Sequence, residues 1–269
     1  MTKVIVAGAA GRMGKRIGYM AHQHKGLELV GGFEAAGHPD IGKDIGEVGG
    51  YGATGVTITE GLESIIDKAD VLIDFTFHEA TMQFARTMAA HKKAMVIGTT
   101  GLSNDNLAEL KKLAADFACV QAPNMAVGVN VLFKVARKVA AILGDDYDIE
   151  IVEAHHRIKK DAPSGTALKL AEMAAEGVNR NLEEVGVFSR HGIIGARTDK
   201  EIGVQTIRGG DIVGEHTIYF AGAGERLEIT HRAHTRDNFA KGAALAAAWV
   251  ADKDSGMHTM FDVLGIDDL

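Results

Sequence analysis

Residues 3–14 read KVIVAGAAGRMG, and this short stretch decides the class of fold. The apolar, β-branched run at 3–7 is typical of a buried strand, and residues 15–24 beyond it have helical character. Between the two, Gly8, Gly11 and Gly14 recur at a spacing of three, which lets the chain turn tightly from the strand into the helix. The stretch therefore predicts a strand–loop–helix unit.

The rest of the first half repeats this alternation. Further β-like runs occur at 27–33, 71–75, 94–98 and 118–122, and helix-like stretches occur at 79–90 and 104–115. Strands that alternate with helices favour a parallel sheet with helices on both faces, so we predict an α/β domain over 1–126. The glycine-rich segment 37–55 interrupts the pattern and is expected to be a loop.

A second domain is expected from about residue 127. A helix-like stretch at 129–143 leads into 147–154, where Tyr147, Ile149 and Ile151 alternate with acidic residues as in a half-buried strand. Runs at 203–208, 212–220 and 226–231 predict further strands joined by glycine-rich turns, and hence an α+β domain with an open mixed sheet over 127–235. The alanine-rich helix predicted at 237–250 is expected to pack back on the first domain, so 236–269 are assigned there.

Composition and charge exclude several classes of partner. The 269 residues carry 29 basic and 36 acidic side chains and a net charge of −7, which disfavours a general nucleic-acid or anionic-membrane surface. Cys119 is the single cysteine, so no intramolecular disulfide forms, and a cytoplasmic location is expected. No run of about 18 apolar residues predicts a membrane span, and residues 1–11 do not resemble an export signal.

An acidic residue follows the glycine turn at an informative distance. Glu34 ends the second predicted strand, about 20 residues beyond the turn, where an acid accepts hydrogen bonds from the adenosine ribose of a dinucleotide. The turn departs from the strict GxGxxG fingerprint because Ala10 replaces the second glycine. The pattern favours dinucleotide binding, with the pyrophosphate at the helix N-terminus, over an ordinary tight turn and a surface glutamate.

A second stretch, EAHHRIKKDAPSGT at 153–166, predicts an anion site. Folding alone does not require two histidines, an arginine and two lysines in one short segment. Ser164 is the expected N-cap of a following helix, whose first N–H groups lack intrahelical acceptors and can meet an anion near Gly165 and Thr166. Lys159 and His156 can add charge-assisted contacts. The alternative is a solvated basic loop before an ordinary helix.

These strings resemble the dihydrodipicolinate reductase family. The resemblance runs nearly end to end and is carried by GAAGRMG at 8–14, DFT at 74–76, GTTG at 98–101, APNMAVGVN at 122–130, EAHHRIKKDAPSGTAL at 153–168, IRGGDIVGEHT at 207–217 and GERLEITHRA at 224–233. It implies a Rossmann-like, doubly wound nucleotide domain and a substrate domain that builds a homotetramer, with a hinge between them. It also implies NAD(P)H-dependent reduction of a small cyclic dicarboxylate, 4-hydroxy-tetrahydrodipicolinate, in diaminopimelate and lysine biosynthesis.

The resemblance also implies roles for individual residues. His155 corresponds to a catalytic donor and acceptor and Lys159 to a proton donor, although the residues themselves leave open which of the two delivers the proton. His156, Gly165 and Thr166 correspond to substrate-binding positions, beside the cap Ser164. The implied cofactor positions are Gly8, Ala9, Ala10, Gly11, Arg12 and Met13 at the pyrophosphate, Glu34 at the ribose, and Gly98, Thr99, Thr100, Ala122, Pro123, Asn124 and Met125 on the nicotinamide side.

Two adjacent residues predict a preference between the two cofactors. The charge of Glu34 repels a 2′-phosphate, and Ala35 stands where NADPH-using relatives commonly carry an arginine, so NADH is expected to be preferred. Arg12, Lys15 and Arg16 lie close enough in sequence to the turn to support some NADPH use.

The sequence was also considered for a metal site and for two other functions. The pairs His22/His24 and His231/His234 lack nearby cysteine or carboxylate partners, so no metal site is expected. A rival of the same fold is another two-domain NAD-dependent oxidoreductase, acting for example on an amino acid or sugar. A rival of another class is a non-catalytic nucleotide sensor, which has no use for His155 and Lys159 together.

Overall fold

The computed structural model describes all residues, Met1–Leu269, and the contacts between them divide the chain into two compact units. The first unit is Met1–Val127 with Arg236–Gly265, and the second is Gly128–Thr235 with Ile266–Leu269. The last four residues thus belong to the second unit, whereas the sequence assigned them to the first. One physical reason is that Lys134 Nζ donates a hydrogen bond of 2.7 Å to the carbonyl oxygen of Asp267.

The chain forms twelve strands and nine α-helices. The strands are β1 Thr2–Ala7, β2 Leu27–Glu34, β3 Ile58–Glu60, β4 Val71–Asp74, β5 Ala94–Ile97, β6 Ala118–Gln121, β7 Asp148–His155, β8 Gly186–Val187, β9 Ile202–Arg208, β10 Gly214–Gly222, β11 Glu225–Ala233 and β12 Gly256–His258. The helices are α1 Arg12–Gln23, α2 Ile45–Gly49, α3 His78–Ala90, α4 Asn104–Leu113, α5 Val127–Leu143, α6 Gly165–Gly177, α7 Leu182–Val185, α8 Asp237–Val250 and α9 Met260–Leu264. None of the helices combines the length and the apolarity that a bilayer crossing requires.

The first unit is built on a seven-stranded sheet in the order β12-β6-β5-β4-β1-β2-β3. Every pairing in it is parallel. The chain extends the sheet outward from β1 through β2 and β3 and then crosses back to β4, β5 and β6 on the other side. This order confirms the predicted doubly wound, Rossmann-like fold.

Alternate residues of each central strand pack against different helices. Val4 and Val6 of β1 belong to one apolar cluster together with residues of α1, α8 and α9. Ile5 lies in a second cluster, which holds residues of α3 and α4. Helices therefore cover both faces of the sheet, and this explains why the strands appear in the sequence as uninterrupted apolar runs.

The prediction of a loop over 37–55 is wrong in its middle, because Ile45–Gly49 form helix α2. Asp44 caps this helix and accepts hydrogen bonds from the backbone N–H groups of Gly46, Glu47, Thr54 and Gly55. Although desolvation acts to raise the pKa of Asp44, these four hydrogen bonds lower it to about 2. The carboxylate thus fixes a segment that its glycine content alone suggested was irregular.

The second unit contains a five-stranded sheet in the order β11-β10-β7-β9-β8. Strand β10 is antiparallel to both of its neighbours, β11 and β7, whereas β9 is parallel to both of its neighbours, β7 and β8. The predicted open mixed sheet is confirmed. Helix α6 packs against β7 and β9. A hydrogen bond from the Ser164 N–H to Glu153 places the start of the helix beside the carboxyl end of β7.

Candidate active site

The glycine turn of the first unit has the geometry of an anion cradle. Gly8 adopts a left-handed conformation with φ of 60°, and helix α1 begins at Arg12 without a side-chain cap at Gly11. A Cβ placed on Gly14 would lie 2.0 Å from the carbonyl oxygen of Gly8, so the helix can approach the turn this closely only without a side chain there. The first N–H groups of α1 are left for an anion.

Glu34 lies directly beside this turn. Its Oε1 accepts a hydrogen bond of 2.8 Å from the backbone N–H of Ala10. Glu34 borders a cavity of about 840 Å³, large enough for part of a dinucleotide. Of the predicted cofactor residues, those that line it are Gly8, Gly11, Arg12, Met13 and Glu34.

Sequence reasoning assigned no role to much of this cavity's wall. Several lining residues follow β3 or β4, or lie on α3: Gly61, Leu62, Glu63, Phe75, Thr76, Phe77, Ala80, Gln83, Phe84 and Thr87. A usable signal was present, since the DFT string begins at Asp74, the last residue of β4. Residues just beyond the carboxyl ends of parallel strands meet at the ligand-binding edge of such a sheet.

The turn after β5 is held by a buried carboxylate at the end of β4. Asp74 accepts hydrogen bonds from the hydroxyls of Thr81 and Thr99, and the Thr99 hydroxyl in turn accepts one from the Thr76 N–H at 2.9 Å. Burial raises the pKa of Asp74, and the hydrogen bonds from the threonines only partly oppose that effect. The Thr99 side chain is thus committed to positioning the turn, with Thr100 exposed beside it.

The remaining predicted nicotinamide-side residues differ in exposure. Ala122 and Met125 are buried in the core of the first unit, as is Ala9 of the glycine turn, so the side chains of these three residues are used for packing. Pro123 is exposed and Asn124 is partly exposed. Gly98 lies against the Phe75 ring, which a Cβ on the glycine would approach to 2.2 Å.

In the second unit, β7 carries two functional side chains on one face. Glu153 and His155 are separated by one residue and therefore point the same way. Glu153 is fully buried, and its Oε2 lies 2.5 Å from His155 Nδ1. Arg208 of β9 donates to both carboxylate oxygens at 2.8 Å. Burial opposes ionisation of Glu153, but the hydrogen bonds from His155 and Arg208 outweigh it and hold its pKa well below the ordinary value.

The start of α6 is joined to the same carboxylate. The Ser164 N–H donates to Glu153 Oε1 at 3.0 Å, and the Ser164 hydroxyl accepts a hydrogen bond from the Ala167 N–H, as predicted for an N-cap. That hydroxyl also lies 3.2 Å from His216 Nε2. The Ser164 side chain is buried and used for capping, so any contact it makes to substrate adds to this role. A Cβ on Gly165 meets no atom within 4 Å, which leaves open space beside the helix start.

Lys159 lies in the loop between β7 and α6. Its Nζ is 2.9 Å from Asp161 Oδ2, and about a fifth of its side chain is exposed. Arg208 Nη2 donates to the carbonyl oxygen of Asp161 at 2.7 Å. The residues between Lys159 and Ser164 are therefore attached to the Glu153 carboxylate through Arg208, and the partly buried His156 follows His155 directly.

His216 was missed at the level of sequence. It lies opposite Glu153 in the register of β7 and β10, and its ring packs edge-on against His155 with 5.2 Å between centroids. Burial first, and then the neighbouring His155, lower the pKa of His216 to about 3. His216 is therefore neutral near pH 7. No three carboxylate, thiol or imidazole groups are arranged to hold a metal ion.

Comparison with known families matches both parts of the chain. The family model described as "Dihydrodipicolinate reductase, N-terminus" matches residues 2–125, and its counterpart for the C-terminus matches residues 128–264. The 4-hydroxy-tetrahydrodipicolinate reductase of Desulfotalea psychrophila is 70% identical over the full length of both chains. The enzyme of the same name from Syntrophobacter fumaroxidans is 54% identical over 99% of this chain and 100% of its own.

A solved structure gives the same result for the fold. The dipicolinate-bound dihydrodipicolinate reductase from Paenisporosarcina sp. TG-14 superposes with a TM-score of 0.76 at 29% sequence identity. The match covers 97% of this chain and 98% of that one. The likeness thus spans both the parallel and the mixed sheet.

Proposed function

This chain belongs to the dihydrodipicolinate reductase family, and we propose that its two units carry out that family's reaction with NADH as the preferred hydride donor. The enzyme reduces 4-hydroxy-tetrahydrodipicolinate to tetrahydrodipicolinate, a step of diaminopimelate and lysine biosynthesis. The ring loses its hydroxyl group and one carbon-bound hydrogen as water, and the conjugated ring that results gains one hydride and one proton. The protein must therefore bind a dicarboxylate, bind a dinucleotide and deliver a proton.

One observation carries the proposal for the substrate: a single buried carboxylate joins His155 to the start of α6. Glu153 contacts His155 through one oxygen and the Ser164 N–H through the other. A substrate carboxylate bound at Gly165 and Thr166 would consequently lie close to the imidazole. The helix N-terminus favours that negative charge, and Gly165 leaves the space it needs.

The first unit has the features that a dinucleotide requires. The turn between Gly8 and Gly14 would hold the pyrophosphate, and Glu34 would accept hydrogen bonds from the ribose hydroxyls. The cavity of about 840 Å³ and the close approach that Gly14 permits support this fit. When bound, the nicotinamide supplies the hydride for the reduction.

We propose that Lys159 and His155 handle the proton. Lys159 is paired with Asp161 and carries an ammonium group, which can donate to the ring carbon that becomes basic as the substrate gains electrons. A substrate dicarboxylate favours that charged form as well. The imidazole of His155 can orient the substrate or stabilise its developing charge, and His156 would contact a substrate carboxylate.

We also propose that the protein assembles as a homotetramer in the cytoplasm. Strand β11 is the outer strand of its sheet, and most of its residues are exposed, which leaves backbone groups and side chains available to another copy. The lone, buried Cys119 suits a reducing compartment.

A coupled assay tests the proposed reaction. The substrate is formed from pyruvate and aspartate semialdehyde by the preceding condensing enzyme, and NADH or NADPH oxidation is followed after addition of the purified chain. Oxidation is expected only when both precursors are present. Oxidation with other amino or sugar substrates and none with this one would identify a different dehydrogenase, and cofactor binding without any oxidation would indicate a sensor.

Dipicolinate, a planar mimic of the substrate, is expected to inhibit competitively and to raise the Tm of the protein. Replacing Gly165 with alanine should weaken its binding by about 10- to 100-fold, because one lost charge-assisted contact costs about 1.5–3 kcal/mol. The Tm of the ligand-free variant should not fall, since the added Cβ meets nothing within 4 Å. Thr166→Val is expected to weaken binding in the same direction. Thermal shift measures the Tm, and calorimetry measures the affinity for dipicolinate.

The matched control is Glu172→Gln, which alters an exposed residue two turns further along α6. It should bind dipicolinate like the unaltered protein. If saturating dipicolinate left the Tm of the wild type unchanged, or if Gly165→Ala bound it as tightly as the wild type, the anion site would not lie at the start of α6.

A further inference from the structure

Glu153 is a buried charge with an unusually complete set of hydrogen-bond donors. Its Oε1 accepts from the Ser164 N–H, the Thr206 hydroxyl and Arg208 Nη2. Its Oε2 accepts from Arg208 Nη1 and lies against His155 Nδ1. A buried carboxylate is costly unless such partners satisfy it, and here they come from three separate parts of the chain.

The ionised state of Glu153 decides which nitrogen of His155 carries the proton. A carboxylate without a proton can only accept hydrogen bonds, so Nδ1 of His155 must be the donor in this contact. In the neutral imidazole, Nε2 is then the acceptor. Free histidine more often carries its proton on Nε2, so Glu153 selects the less common form.

Gly214 lies beside the Nε2 edge of the ring. A Cβ placed on this glycine would lie 3.1 Å from Nε2, so a side chain at residue 214 would contact that nitrogen. The neutral His216 ring packs against the imidazole in an edge-to-face arrangement, with an angle of 74° between the ring planes. The ring is thus fixed on one edge by Glu153 and flanked by His216, and residue 214 adds no side chain against Nε2.

We propose that Glu153 is a positioning residue for catalysis, which holds His155 with its proton on Nδ1 and presents Nε2 to the substrate. This inference rests on the proposed role of His155 in the reaction. Arg208 supports it from the other side, because its two-fold pairing keeps Glu153 charged and its third contact, to the Asp161 carbonyl, fixes the loop that carries Lys159.

Glu153→Gln is expected to move the ring proton of His155 from Nδ1 to Nε2, because the group that faces Nδ1 changes from an acceptor to a donor. The amide oxygen is best placed where Oε1 now accepts three donors, which puts the amide NH₂ group where Oε2 now faces His155. An NH₂ group can only donate, so Nδ1 would have to accept and the proton would move to Nε2. The size of the side chain is unchanged, so the substitution tests the charge and the donor pattern.

The decisive experiment records the ¹⁵N–¹H correlation spectrum of the histidine rings in the ¹⁵N-histidine-labelled enzyme, with His155 assigned by its loss in His155→Gln. The wild-type protein should show Nδ1–H at His155, and Glu153→Gln should show Nε2–H. In the coupled assay, kcat of Glu153→Gln should fall about 10- to 100-fold, as part of what a catalytic acid–base group contributes. Its KM for substrate and its affinity for dipicolinate should stay within about threefold of wild type.

The matched control is Thr206→Val, which removes one donor from the same carboxylate and leaves the His155 contact intact. It should keep the wild-type ring spectrum and a kcat within about threefold of wild type. Nε2–H at His155 in the wild-type spectrum would overturn the proposal even if Glu153→Gln failed to fold. A folded Glu153→Gln with unchanged kcat, or with dipicolinate binding lost as fully as turnover, would overturn it too. The spectrum is recorded without substrate. It therefore determines the position of the His155 proton whether or not the wild-type enzyme reduces the proposed substrate.

Discussion

Replacing Lys159 with alanine is expected to lower kcat by about 10²–10⁴-fold, which is the usual contribution of a general acid. His155→Ala should cause a loss of similar order. Both side chains belong to the second unit, whereas the glycine turn and Glu34 belong to the first, so NADH affinity should change little in either variant. Steady-state kinetics in the coupled assay give kcat, and NADH fluorescence titration gives the affinity.

Lys160→Ala is the matched control for the first variant. Lys160 is exposed, lies one residue further along the same loop and carries the same charge, but has no proposed role. The Lys160→Ala variant should have the kcat of the wild-type enzyme. Wild-type turnover in Lys159→Ala would remove that residue from the mechanism, and loss of NADH binding in parallel with turnover would point to a folding defect in place of a chemical one.

The unaltered enzyme is expected to use NADH about 10- to 100-fold more efficiently than NADPH in kcat/KM, which corresponds to one missing charge-assisted contact of about 1.5–3 kcal/mol. Glu34 is held at the glycine turn by the Ala10 N–H, where its charge repels a 2′-phosphate. Arg16 pairs through two nitrogens with Asp237 and is therefore already engaged. Arg12 lines the cavity and can support some NADPH use.

Ala35→Arg should reduce the ratio of kcat/KM for NADH to kcat/KM for NADPH, mainly by improving the use of NADPH. Ala35 lines the cavity, so an arginine there can reach a phosphate placed beside Glu34. Ala36→Arg adds the same charge at the next exposed position, which does not line the cavity, and should change the ratio far less. A wild-type kcat/KM for NADPH equal to or above that for NADH would show that the phosphate has another partner.

Local patterns in the sequence were sufficient for the regular parts of the fold. The strand–turn–helix unit at β1 and α1, the helix α8 at Asp237–Val250 and the N-cap at Ser164 each depend on neighbouring residues, and the structure has all three. The short strands β3 and β12, of three residues each, were missed because they are too short to show a periodicity. Helix α2 was missed because the hydrogen bonds from 46–55 to Asp44 are invisible in composition.

The candidate site was predictable only in part for a related reason. His155 and Lys159 stand out in one basic segment, but Glu153 gains its role from contacts with residues far along the chain. Arg208 is 55 residues away and His216 lies on the neighbouring strand β10. Sheet register decides these neighbours, and the sequence pattern does not specify register between distant strands. The same limit applies to Asp74 and Thr99.

Transfer of hydride from NADH to a cyclic dicarboxylate can be observed by following the hydrogen itself. The coupled reaction is run with NADH carrying two deuterium atoms at C4 of the nicotinamide, and the product is analysed by mass spectrometry. We expect tetrahydrodipicolinate that contains one deuterium per molecule, formed in step with NADH oxidation and at a rate greatly reduced in Lys159→Ala. Oxidation of NADH without deuterium in that product would show that this chain does not transfer hydride to the proposed substrate.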